Sequence, residues 1–147
     1  MKTIAVVLLI VMNSTVSAWA ALGQSRESIK EDTARLNGKV MVTEMRGYAV
    51  HQITRDDGAV LREFVSPHGQ VFGITWEGRT MPNLKDLLGP SAQAFQQATE
   101  TTHPRRGPIS LHLDNLVVET GGHMRDFHVR AYRLDMMPEG VTEDAVR

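Results

Sequence analysis

Apolar and polar residues alternate along most of the chain from Lys39 onward, a pattern typical of half-buried β-strands. The first four segments of this kind are separated by short turns that each end in glycine. These strands are predicted over Lys39–Met45, Tyr48–Thr54, Ala59–Ser66 and Gln70–Trp76. The connections are too short to cross over a sheet, so we predict that the four strands form an antiparallel meander.

The turn glycines also predict the register of this meander. If each glycine is the bulge residue of a three-residue loop, Val42 faces Val50, Val50 faces Phe64, and Phe64 faces Phe72. The same face should also carry Tyr48, Val60, Ile74 and Trp76. The opposite face is mixed and carries Leu61, Val65, Val71, Glu63 and Thr75. We therefore expect partial cover, or a partner, on the mixed face.

The last third of the chain predicts a second hairpin block. Its two alternating segments, Leu111–Thr120 and His123–Leu134, flank Gly121-Gly122, which is typical of a two-residue turn. Five apolar residues then share one face: Leu116, Val118, Phe127, Val129 and Ala131. A change of phase earlier in the first segment predicts a bulge near Asp114-Asn115. The two blocks together give a sheet of about six strands.

Two regions carry helical patterns. One runs from Ser25 to Leu36, before Asn37-Gly38. The other is a central segment over residues 82–99, with leucines at helical spacing and a break at Gly89-Pro90. We predict an α+β fold, in which an N-terminal helix and a central helical segment pack on the antiparallel sheet. A single domain is predicted over residues 21–135, followed by a loosely attached C-terminal tail over residues 136–147.

The first twenty residues have the layout of a secretory signal peptide. One lysine precedes nine unbroken apolar residues, Ile4–Met12, and Ala18-Trp19-Ala20 fits the small-x-small cleavage rule. Nine residues in a helix would cover only about half of a ~30 Å hydrocarbon core, which argues against a membrane anchor. We predict cleavage after Ala20 and a protein that is exported, either periplasmic or secreted, with no membrane anchor after cleavage.

Composition narrows the classes of partner and chemistry. The formal net charge is −1, which excludes nucleic-acid binding through bulk positive charge. The chain has no cysteine, so disulfides, thiol catalysis and cysteine-ligated metals are excluded. No nucleophile elbow and no glycine-rich phosphate loop is present. We expect no cofactor and no nucleic-acid partner, and we expect the partner to be a protein or a small ligand in the cell envelope.

The histidines are the first candidates for catalysis. The six of them contain no His-x-His or His-x-x-x-His pair, so no metal site is predicted. His51 is expected opposite Glu63 on adjacent strands, and His128 is expected on the same face as Asp126. A histidine–carboxylate pair can orient a catalytic base, which makes His51, Glu63 and His128 the catalytic candidates. The alternative is a cross-strand polar pair on a solvated face.

Arginines form a second candidate site. Arg125, Arg130 and Arg133 crowd one strand of the second hairpin block. A guanidinium group offers a planar fork to carboxylates and phosphates, so these residues could form a small patch that faces an anion or a carbohydrate. The alternative is a solvated face that nearby acidic residues balance.

Several segments resemble a bacterial family known as domain of unknown function 2844. They are Gly47-Tyr48-Ala49-Val50-His51, Arg62 through Phe72, Trp76-Glu77-Gly78, Met81-Pro82-Asn83-Leu84 and Gly122-His123-Met124-Arg125. The resemblance spans about residues 21–141. It implies an exported protein, mainly from Gram-negative bacteria, with no established activity, and it supplies no catalytic residue.

Three functions therefore stand as hypotheses. The leading one is a non-catalytic exported binding module that binds a protein or ligand through the less polar edge of its sheet. The first alternative is a small hydrolase that uses a histidine–carboxylate pair. The second is a structural component of an envelope assembly.

Overall fold

The computed structural model describes residues 21–102 and 107–147, and the predicted signal peptide over residues 1–20 lies outside them. Within the described residues, seven antiparallel strands form one open sheet in the order β1-β2-β3-β4-β7-β6-β5. The strands are β1 Lys39–Met45, β2 Tyr48–Thr54, β3 Val60–Val65, β4 Val71–Gly78, β5 Ile109–Leu113, β6 Leu116–His123 and β7 Asp126–Arg133. The helices are α1 Ser28–Leu36, α2 Leu84–Leu88 and α3 Ala92–Thr102. The α+β fold is confirmed, with seven strands rather than about six.

The additional strand arises at Asp114-Asn115. The predicted bulge there is a two-residue turn between β5 and β6, and Asp114 adopts a positive φ of 20°. The predicted turn at Gly121-Gly122 is also wrong, because both glycines lie inside β6 and the chain turns at Met124-Arg125. At the turn between β5 and β6, aspartate tolerates the positive φ well, so Asp114-Asn115 reverses the chain without glycine.

The faces predicted for the second block are nevertheless confirmed. Val118 pairs with Ala131, whereas the predicted turn would have paired it with Arg125. The partner has moved by six positions (131 − 125), and an even shift leaves the five apolar residues on one face, as predicted.

The predicted apolar row across the first four strands is only partly correct. Val50 does pair with Phe64. Val42, however, pairs with His51, because Met45 and Tyr48 flank a loop of only two residues. This one-residue shift moves Val42 to the opposite face of the sheet from Val50.

The end of the row contains a register shift. Phe64 pairs with Gly73 rather than with Phe72, and an irregularity follows between Phe64 and Val65. The rings of Phe64 and Phe72 still contact, with centroids 6.3 Å apart. The predicted placement of Ile74 and Trp76 on the same face as Phe72 is wrong, because both pack in the other hydrophobic cluster.

Each face of the sheet has its own hydrophobic cluster. We call one the helix-covered face, because α1, α2 and α3 contribute Ile29, Leu88 and Phe95 to its cluster. The cluster on the other face is small and consists of Phe64, Phe72, Val117, Tyr132 and Val146. Its cover comes from the C-terminal segment, residues 136–147, which we call the strap. Val146 is fully buried, so the segment expected to form a loosely attached tail lies against the sheet.

The segment before α1 is joined to α2 and to the sheet by backbone hydrogen bonds. The Leu22 N–H donates to the Leu87 carbonyl at 3.0 Å, and the Gly23 N–H donates to the Val71 carbonyl at 2.8 Å. Ser25 continues the contact as an isolated bridge to Gln70. In the part of the chain that the structure describes, no helix is both long and apolar enough to cross a membrane.

Candidate functional site

Strand β1 forms an open edge of the sheet. It pairs with β2 on one side, and all seven of its residues are exposed. Four large apolar side chains are among them: Val40, Met41, Val42 and Met45. Natural edge strands often carry charged side chains, proline or a bulge that hinder pairing with another chain. The charges of β1 lie near its ends, at Lys39 and Glu44, and the four residues between them carry neither charge nor proline. Pairing with β2 is regular along the whole strand, so the centre of this edge is open to a further strand.

The opposite edge of the sheet differs from β1. Strand β5 has five residues rather than seven, and its central residue, Leu111, is buried. The exposed residues of β5 are Ser110 and His112, which are polar. The contrast identifies β1 as the edge whose apolar surface is not used within the described fold.

The backbone of β1 is oriented for strand pairing. Met45 and Tyr48 flank a two-residue turn and form a ladder pair, so they exchange both of their backbone hydrogen bonds. Hydrogen-bonded pairs alternate along an antiparallel ladder. The N–H and C=O groups of Val40, Val42 and Glu44 therefore point away from β2, toward the open side of the edge.

A cleft of about 370 Å³ lies between α1 and β1 on the helix-covered face. Ile29, Val40 and Val42 form its apolar part. Arg26 and Lys30 also line it, and neither forms a salt bridge with a carboxylate among the described side chains. The cleft thus combines an apolar surface with two cations directly beside the open edge. Sequence reasoning missed it, because the predicted register had turned Val42 to the other face.

The structure brings together two of the catalytic candidates. His51 pairs with Glu63 across β2 and β3, as predicted, and both lie on the helix-covered face. His51 is 8% exposed and lines both the α1–β1 cleft and a neighbouring cleft of about 310 Å³. Glu63 is fully buried, so solvent does not reach its carboxylate. The pair is therefore an interior feature of the sheet rather than the solvated surface pair of the alternative interpretation.

Burial lowers the pKa of His51 below its usual value, and the positive charge of Arg26 lowers it further, while Glu44 opposes the shift. The imidazole is consequently neutral in the folded protein near neutral pH.

Replacement of His51 by glutamine should flatten the pH dependence of stability on the acid side. Below about pH 6.5 the unfolded chain takes up a proton at His51 that the folded chain binds less readily, so stability present above this pH is lost as the pH falls. Urea unfolding at about pH 7.5 and about pH 5 measures the loss, which should be smaller in His51→Gln. An equal loss of stability in the wild-type protein and in His51→Gln would contradict the lowered pKa of His51. His112→Gln is the control, because His112 is exposed on β5.

The third catalytic candidate lies elsewhere. His128 is exposed and pairs with Glu77 and Gly121, on the face opposite His51 and Glu63. The three candidates therefore do not converge on one site. Among the described residues, no group of three or more histidines and carboxylates is arranged to hold a metal ion.

The three candidate arginines are also separated. Arg125 occupies the turn between β6 and β7 with φ 69°, and Arg133 pairs with Asp135 at 2.6 Å. Arg130 projects from the other face of β7 and binds the strap. Its guanidinium donates to the carbonyls of Glu143 and Val146, both at 2.6 Å, and to the Glu119 carboxylate at 2.7 Å. The arrangement fixes the strap and forms no shared anion-binding patch.

Tyr132 adds a second polar attachment for the strap. Its hydroxyl donates to the Glu143 carboxylate at 2.9 Å, and its ring lies 4.7 Å from the Arg130 guanidinium carbon. Burial, together with the hydrogen bond to Glu143, raises the pKa of Tyr132 to about 12. The sequence offered no signal for this attachment, because residues 136–147 show neither helical nor strand periodicity.

The molecule belongs to the class of α+β proteins with an open antiparallel sheet, here with helices on one face and a C-terminal strap on the other. More specifically, the chain is a member of DUF2844, a family of proteins of unknown function, whose sequence pattern matches residues 18–146. No curated protein and no solved structure matches the chain.

Proposed function

We propose that the protein is a non-catalytic, exported binding module that takes up an extended polypeptide along β1 by strand addition. The observation that carries the proposal is the open edge itself, where three residues direct their backbone groups outward between exposed apolar side chains. Export is part of the proposal and is supported by the signal-peptide pattern over residues 1–20.

Strand addition supplies affinity through the main chain and specificity through alternate side chains. A strand beside β1 can satisfy the N–H and C=O groups of Val40, Val42 and Glu44, at a net gain of roughly 0.5–1.5 kcal/mol for each hydrogen bond. Every second side chain of that strand would lie on the helix-covered face, next to the cleft of Arg26 and Lys30. The occupant that fits is an extended segment with apolar residues and a carboxylate on the same face.

The hydrolase alternative lacks comparable support. His51 and Glu63 are neighbours, yet the Glu63 carboxylate is fully buried and His128 lies on the other face of the sheet. A hydrolase also needs a nucleophile, or an activated water, within reach of its base.

Amide hydrogen exchange tests strand addition with a synthetic probe. The probe is a blocked heptapeptide, Thr-Val-Thr-Val-Thr-Glu-Thr, added to dilute protein. We expect the amides of Val40, Val42 and Glu44 to exchange at least about tenfold more slowly with saturating probe. The amides of Met41 and Thr43, which already bond to β2, should change little.

The control probe has the same sequence with N-methyl groups on the amides that face β1. It preserves composition and charge but removes the donors that strand pairing requires, so it should give no protection. At a protein concentration where the chain is monomeric, equal protection by both probes, or none by either, would refute strand addition at β1.

A further inference from the structure

We infer that the strand best matched to β1 is β1 of a second copy, so that the protein forms a symmetric dimer with a sheet continuous across both chains. The inference rests on the proposed function and names the occupant of that edge. Such an interface is self-complementary, because a two-fold axis brings the same strand of each copy into contact.

Only one register pairs the whole strand. With the two-fold axis through Val42 and perpendicular to the sheet, all seven residues of β1 pair with the seven of the second copy. Val42 then faces Val42, and Val40 faces Glu44 of the second copy. These three residues are the ones whose backbone groups point outward, so every free donor in this register meets a free acceptor.

Charge supports the same register. The axis keeps the helix-covered faces of both copies on the same side, and Glu44 lies on this face with Val40 and Val42. Glu44 of the second copy is placed opposite Val40, at the cleft that Lys30 lines. A carboxylate thereby approaches a cation that has no salt bridge among the described side chains, and symmetry repeats the contact.

The opposite face of the strand gains apolar cover in the same register. Met41 lies opposite Thr43 of the second copy, and Met45 lies opposite Lys39, whose aliphatic stem can cover it. Each copy thus supplies both matching surfaces. One is the apolar–apolar–acidic row of β1, and the other is the cationic cleft beside it that receives this row. A foreign segment would have to supply this pattern independently.

Sedimentation equilibrium of the purified protein over a range of concentrations tests the dimer. We expect a monomer–dimer equilibrium that Val42→Pro abolishes, because proline removes the central outward N–H of β1. Val42→Thr is the matched control, because it keeps the backbone donor and the branched shape. Unfolding in urea should confirm that both variants remain folded. A dimer that persists in Val42→Pro, or protein that is monomeric throughout, would overturn the inference.

Charge reversal tests the register. Glu44→Lys and Lys30→Glu should each weaken dimerisation by at least about tenfold, because each creates two like-charge contacts. An equimolar mixture of the two variants should recover the dimer. In the mixed dimer the lysine introduced at position 44 of one chain meets the glutamate introduced at position 30 of the other, and the native pair forms on the second side. Failure of the mixture to recover would refute this register.

The two proposals fail in different ways. Monomeric protein whose β1 amides are protected by the synthetic probe would overturn the dimer and leave strand addition intact. Protein that neither dimerises nor responds to the probe would overturn both proposals.

Discussion

Gly73→Ala should destabilise the protein by about 1–3 kcal/mol, because the added methyl group would collide with the strap. A β-carbon built on Gly73 lies 2.8 Å from Cγ2 and 3.0 Å from Cγ1 of Val146. Val146 is fully buried against the cluster of Phe64 and Phe72, so it has little room to withdraw. Either the strap lifts from the sheet or the sheet deforms, and both outcomes lower the free energy of unfolding measured in urea.

A double-mutant cycle separates this collision from a general effect on β4. Val146→Ala alone should cost about 2 kcal/mol, because it leaves a cavity. The loss in the free energy of unfolding of the double variant should be at least about 1 kcal/mol smaller than the sum of the two single losses. The reason is that the methyl group at position 73 enters the space vacated at position 146. Val141→Ala provides the control, since Val141 contacts the same cluster without approaching Gly73. Strict additivity of Gly73→Ala and Val146→Ala would contradict the contact.

The first four strands were predictable because their signals are local. Polar–apolar alternation and glycine-ending turns placed β1 and β2 at their observed bounds, and β3 and β4 within two residues. Register was harder, because it depends on loop length to a single residue. The loop before Tyr48 is shorter by one residue than the prediction assumed, and this alone moved Val42 to the other face.

The second block shows a different limit. Gly121-Gly122 has the composition of a turn but lies inside β6, while Asp114-Asn115 and Met124-Arg125 reverse the chain. Turn composition is a preference, and pairing over eight residues of β6 and β7 outweighs it. The face assignments remained correct because an even shift preserves them.

The strap and the open edge were beyond sequence reasoning for a related reason. Burial of Val146 depends on contacts with Phe64 and Phe72, more than seventy positions earlier in the chain, since 146 − 72 is 74. The partial cover expected on one face exists on both, as helices on one side and as the strap on the other. Exposure of β1 likewise depends on where the sheet ends, which alternation along one strand does not specify. The His51–Glu63 pair, by contrast, followed from strand pairing alone.

Leu22→Ala should lower the free energy of unfolding by about 2–5 kcal/mol. Leu22 is fully buried in the cluster of the helix-covered face, and its N–H bonds to the Leu87 carbonyl. Truncation would leave a cavity in this cluster. Leu134→Ala is the matched control, because the same atoms are removed from a side chain that is 44% exposed. The control should lose less than about 1 kcal/mol in the same urea measurement.

This anchor constrains where the predicted signal peptide can end. The predicted cleavage after Ala20 would keep Ala21 and Leu22, and both are buried in the fold. A chain that starts at Gly23 would lose the Leu22 side chain and its hydrogen bond to Leu87, and should therefore be at least as unstable as Leu22→Ala. Proteins that start at Ala21 and at Gly23 can be compared directly by urea unfolding. Equal stability of the two would show that the segment before α1 does not anchor the fold, and the mature N-terminus would then be free to lie further along the chain.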